Sequence, residues 1–63
     1  MTTTTIAVSE TPYGKFLVQS YDVIGNNVYP IMDDYETDDR EHAFDVANCR
    51  AEELGESVID ETE

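Results

Sequence analysis

The acids of this 63-residue chain are crowded into one half. Of its 15 Asp and Glu residues, thirteen lie between Asp33 and Glu63, with only Arg40 and Arg50 as counter-charges. That half therefore holds −11 of the net −12, while residues 1–32 hold −1, with Lys15 set against Glu10 and Asp22. Like charges at this density repel one another and weaken a compact state. Any fold must keep these acids in water and draw its core from the apolar positions between them. The charge also calls for a compensating agent: a basic partner, a bound cation or saline surroundings.

Size sets the next bound. A chain of 63 residues makes a single domain, 1–63, with residues 1–2 and 61–63 expected to fray. So small a domain buries only about 60% of its unfolded surface and has no room for a deep, walled cleft. Its apolar content, 40%, supplies one thin core layer and argues against full disorder. Cys49 is the sole cysteine, so no internal disulfide forms, which points to a reducing, cytoplasmic setting. There is no apolar run of about 18 residues, and the threonine-rich start lacks the basic residues of a signal peptide. Nucleic acid and anionic membranes are poor direct partners, because their phosphates would be repelled.

The pattern along the chain predicts an α+β domain. Residues 3–8 (Thr-Thr-Thr-Ile-Ala-Val) are β-branched and read as a strand. A turn-rich connection, Ser9 to Gly14, leads to a second strand, Lys15 to Ile24. In it Phe16 and Val18 share one face, with Leu17, Gln19 and Tyr21 on the other. Gly25-Asn26-Asn27 reads as a hairpin turn, and Val28 to Met32 as a third strand. Pro30 donates no backbone hydrogen bond, so that strand belongs at an edge or is bulged. Asp33 to Asp39 is an acidic connection, and a helix runs from about Asp39 to Leu54. Asp38 is placed to cap it, with Glu41 three residues on as in a capping box, and Gly55 to end it. Ala43, Phe44, Ala47, Ala51 and Leu54 form an apolar stripe. The expectation is a small antiparallel sheet of three strands, with Ser57 to Asp60 as a candidate fourth, and one helix packed on one face, in the order β-β-β-α(-β). Phe16, Val18, Ile24, Phe44, Ala47 and Leu54 are the expected core.

Catalytic and metal chemistry find little to build on. His42 and Cys49, the only histidine and the only cysteine, are seven residues apart on the helix, about 10.5 Å along its axis. That separation is too long for a nucleophile–base pair within one chain. Cys49 reads as a small packing or boundary residue and His42 as a surface residue among acids. No Gly-rich phosphate loop, zinc pattern or Ser-His-Asp set is present. Asp34, Glu36 and Asp38 alternate like the first ligands of a calcium loop, with Asp45 at the twelfth position, but Asp39 stands where that loop needs glycine. The expectation is a protein that is not an enzyme and has neither a cofactor nor a dedicated metal site.

The acidic surface is more informative. Asp38, Glu41, Asp45, Asn48 and Glu52 step by three or four residues and line up along the outer side of the helix. Residues four apart are separated by about 6 Å along the axis, and phosphates on one DNA strand repeat on a similar scale. A row of Glu41, Asp45 and Glu52, extended by Asp33, Asp34, Glu36, Asp38 and Asp39, would suit a channel built for nucleic acid. Tyr35, within the run, would serve either as a stacking anchor or as a staple-like contact over the helix start. Two blander readings stand beside this one. One takes the acids as a merely solvated face, the other as a salt-adapted surface, although salt adaptation would spread charge over the whole chain.

The run Asp33-Asp34-Tyr35-Glu36-Thr37-Asp38-Asp39, the helix acids after it, the sparse lysine and the strand–strand–strand–helix order resemble the small acidic phage-encoded anti-CRISPR proteins that inhibit type I systems. The resemblance spans the whole chain and is one of style. It implies a DNA mimic in the cytoplasm of a host cell, bound to a CRISPR surveillance complex where target DNA or its PAM would sit. That site is rich in Lys and Arg. The same style fits inhibitors of other DNA-binding enzymes. The sequence leaves open a monomer or a homodimer joined at a strand edge.

Overall fold

The computed structural model describes residues 2–62. Its elements are β1 (Thr2–Glu10), β2 (Phe16–Ile24), β3 (Asn27–Pro30), β4 (Tyr35–Thr37), α1 (Arg40–Leu54) and β5 (Val58–Glu61). The chain is α+β: one mixed five-stranded sheet in the order β3-β2-β1-β5, with β4 also on β2 and the helix laid across one face.

The first two strands form a long antiparallel hairpin, from Thr2 opposite Ile24 to Glu10 opposite Phe16. Its turn is closed by Thr11, whose N–H donates to the Lys15 carbonyl at 2.7 Å, with Gly14 at φ 78°. The second turn is the tight pair Gly25-Asn26, since Ile24 faces Asn27 directly. Only Gly25 adopts positive φ there, at 63°, as in the type II′ hairpin turn. β3 ends at Pro30, opposite Tyr21, where the missing N–H falls on the open edge, and Ile31 N–H still donates to the Ser20 carbonyl at 3.1 Å. β4 then takes up the remaining edge of β2, setting Tyr35 opposite Val18 and Thr37 opposite Phe16.

The helix then carries the chain back. Fifteen residues at about 1.5 Å each span roughly a sheet length. The next strand therefore starts at the same end as β4 and enters beside β1 in parallel, with Ile6 opposite Val58. Strand–helix–strand β4-α1-β5 thus brackets the β1–β2 hairpin.

Strand alternation decides what is buried. Ile6, Val8, Val18 and Ser20 point under the helix and are fully buried. From above, the helix contributes Ala43, Ala47 and Ala51, spaced by four and all buried. Phe16, Tyr35, Phe44, Val46 and Val58 are partly buried around this cluster. Alanine leaves little side chain between the helix backbone and the sheet, so the two layers sit close. Gly55, at φ 69°, ends the helix in a Schellman arrangement: Glu56 N–H donates to the Ala51 carbonyl at 2.8 Å and Gly55 N–H to that of Glu52 at 3.4 Å.

The structure corrects several expectations. The sheet is mixed rather than antiparallel and has five strands, because the acidic connection contains β4 and the last strand pairs in parallel. Strand three stops at Pro30 rather than Met32. Ile24 and Leu54 lie beyond the alanine contact, at a strand end and the helix end, and are 44% and 38% exposed. Ile6, Ala7 and Val8 are core instead, because β1 is flanked on both sides. Of the terminal residues expected to fray, Thr2 opens β1 and Glu61 ends β5, while Met1 and Glu63 lie outside the described residues. Among the described residues no helix is long and apolar enough to cross a membrane.

Candidate anionic interaction surface

The helix sets the geometry of the acids. Because Ala43, Ala47 and Ala51 turn down to the sheet, Glu41, Asp45 and Glu52 turn outward and are exposed. Along the axis Glu41 and Asp45 are about 6 Å apart, and Asp45 and Glu52 about 10.5 Å. Glu53 and Glu56 are also exposed and extend the acids past the helix end. The sequence reading left both out, although Glu53 follows Asp45 at two steps of four.

At the helix start the two aspartates divide the work. Asp39, not Asp38, is the N-cap: its Oδ1 accepts from Glu41 N–H at 3.0 Å and His42 N–H at 3.4 Å. The register follows from Thr37, the last residue of β4, whose hydroxyl oxygen accepts from Asp39 N–H at 3.2 Å. The residue three positions after Asp39 is His42, so Glu41 completes no capping box, although its charge suits the helix dipole. Asp38 is exposed beside the cap, and Asp33 and Asp34 are exposed in the β3–β4 connection.

Two of the nine candidate residues differ from the rest. Glu36 lies in β4, opposite Leu17, so alternation puts it on the sheet face away from the helix. There it approaches Lys15 Nζ at 3.9 Å. The same alternation spoils the calcium-loop spacing, since a strand cannot wrap Asp34, Glu36 and Asp38 around one ion. Tyr35 points to the helix side and is half-buried. Its hydroxyl is 2.7 Å from His42 Nε2, and the two rings meet edge to face at 5.5 Å. Tyr35 is therefore the staple over the helix start rather than a free stacking platform.

The three bases make their contacts with residues outside the outer row. Arg40 lies over the Phe44 ring at 4.7 Å and reaches Asp60 at 3.6 Å. Asp60 is held below the usual carboxylate range, first by the Thr62 hydroxyl and N–H that donate to it at 2.6 and 2.9 Å, and then by Arg40; slight desolvation opposes this. Arg50 donates to the buried Ser20 hydroxyl at 3.2 Å. An open groove of about 420 Å³ runs along this flank of the helix, lined by His42, Asp45, Val46, Cys49, Arg50 and Glu53. Cys49 is exposed at this groove, which removes the packing half of its reading as a packing or boundary residue.

Asp38, Glu41, Asp45 and Glu52 thus share the helix side of the molecule, and none of the four forms an ion pair, although Asp45 shares the groove with Arg50. Among the described residues only two carboxylate–base contacts form, at Glu36 and Asp60. The outer row offers acceptors and negative charge, which suits a cationic surface. No family model, curated protein or solved structure matches this chain.

Proposed function

We propose that this protein is a non-enzymatic, stoichiometric inhibitor that presents DNA-like charge to a basic nucleic-acid-binding protein. The observation that carries the reading is the exposed row Asp38, Glu41, Asp45 and Glu52, none of them in an ion pair, continued by Asp33 and Asp34. Such a row draws on the same steering and counterion release that DNA itself uses. The resemblance to acidic anti-CRISPR proteins makes a type I surveillance complex the first target, at its site for target DNA or PAM. Another DNA-binding enzyme of the same host would be met by the same chemistry.

The test is competition. Labelled duplex carrying a PAM is bound to a purified type I surveillance complex, and the protein is titrated in. Displacement is expected, and it should weaken steeply as salt rises, since the contacts are ionic. Joint reversal of Asp34, Asp38 and Asp45 to Lys should abolish it, because none of the three caps the helix or pairs with a base. Undiminished displacement by that variant would sink the idea.

A salt-adapted domain with another task is the second reading, favoured by the number of carboxylates left without a base. Folding followed against salt separates the two. A chain that folds only in molar salt belongs to the second class, and one folded in dilute buffer to the first.

A further inference from the structure

The helix covers one face of the sheet and leaves the other open. Alternation and register place on the open face Thr3, Thr5 and Ala7 of β1 with Tyr21 and Val23 of β2, and Val28 and Ile59 on its two borders. No charged residue stands in the rows Val28–Val23–Thr3, Pro30–Tyr21–Thr5 or Gln19–Ala7–Ile59. Only the last row, through Leu17 and Ser9, ends in acids, Glu36 and Glu61. In a chain with 15 acids, three of the four rows of this face are thus free of charge. Val28 and Ile59 are 60% and 48% exposed on that face, while Ala7 is already 1% exposed within it.

We infer that this open face is the interface of a symmetric homodimer. A two-fold contact joins one surface to itself, so the surface must be complementary to its own copy. The acidic helix side fails that condition and the largely uncharged sheet face meets it. Repulsion between protomers is also small in this arrangement. Two sheets stack about 10 Å apart, and a helix about 10 Å thick lies outside each. The acid rows then point away from one another across roughly 30 Å, about three screening lengths at 0.1 M salt. The area sets the strength. Three strands at about 4.8 Å by three or four rows at about 6.7 Å make a patch of roughly 300–400 Å² per protomer. The total, about 600–800 Å², is below the standard size of a specific contact, so the dimer is weak and reversible.

Sedimentation velocity at about 0.15 M salt, from about 5 µM to about 500 µM protein, tests this. The mass should rise from 7.1 kDa towards twice that value. Ile59→Lys and Val28→Lys, each made at an exposed border position, should raise the dissociation constant at least tenfold. Circular dichroism confirms that each variant is folded, and the second variant decides if the first is not. Glu52→Lys, on the helix side, should leave association in place. A folded wild type that stays monomeric to the top of the range overturns the inference. So does a dimer indifferent to both border lysines, which would place the contact on the groove side or at a strand edge. The outcome is independent of whether the acidic row binds a DNA-binding protein.

Discussion

The closeness of helix and sheet rests on three alanines, and Ala47 is the middle one. Replacing it with Leu adds three carbons at a site with no exposure. Below it lie Ile6, Val8 and Val18, which are also fully buried, so the new atoms have no solvent to enter. Either the helix lifts or the side chain leaves its preferred rotamer, at a cost of about 1–3 kcal/mol. Leu and Ala have similar helix propensities, so the loss would report packing and not helix formation. The whole domain has little to spare: at about 0.05–0.15 kcal/mol per residue, 63 residues hold only about 3–9 kcal/mol. Thermal unfolding followed by circular dichroism should show the midpoint fall by roughly 5–20 °C, since about 1 kcal/mol shifts a domain of this size by about 4–8 °C. Glu52→Leu on the outer side is the control and should change the midpoint little. A midpoint for Ala47→Leu equal to or above wild type would mean that the helix–sheet seam holds unfilled space, and the close-packed account would be wrong.

Asp39→Ala should cost about 1 kcal/mol in urea unfolding through loss of the N-cap, whereas Asp38→Ala should cost far less; equal losses would contradict the cap assignment. Gly55→Ala should cost about 1 kcal/mol, because its φ of 69° strains any Cβ even though the space around it is open. Asp60→Asn should be less stable than wild type at neutral pH. The folded protein holds the Asp60 carboxyl below its unfolded value, so its contribution is full above about pH 4 and disappears as pH falls through the lowered folded value; the two proteins should then converge, and a gap that persists in strong acid would refute the assignment. The Cys49 thiol, being exposed, should react with a maleimide in the folded state, at a rate that unfolding by urea raises only modestly.

What the sequence showed of the fold was its local part. Alternation in Phe16–Tyr21, the Gly25 turn, Pro30 at an edge and the Ala43–Ala47–Ala51 stripe each depend on neighbours within a few residues, and each is where the pattern put it. What escaped it depends on distant partners. Tyr35-Glu36-Thr37 becomes a strand because β3 leaves the Phe16–Val18 edge of β2 unfilled, about twenty residues upstream. The core position of Ile6 and Val8 likewise waits on β5, which reaches β1 only after the helix has reversed the chain.

The candidate surface divides along the same line. Glu41, Asp45 and Glu52 could be placed outward from helix period alone, because the alanine stripe opposite them fixes the rotation. Asp38 and Asp39 are chemically alike and adjacent, so which one caps is decided by where β4 stops, a fact no local pattern contains. Glu36 was grouped with its neighbours because a connection has no faces; once the segment is a strand, one step of alternation sends it to the opposite side. The charge asymmetry read along the chain thus becomes an asymmetry across the sheet. The helix and its flanks hold Asp38, Asp39, Glu41, Asp45, Glu52, Glu53 and Glu56, while three of the four rows of the open face hold no charge.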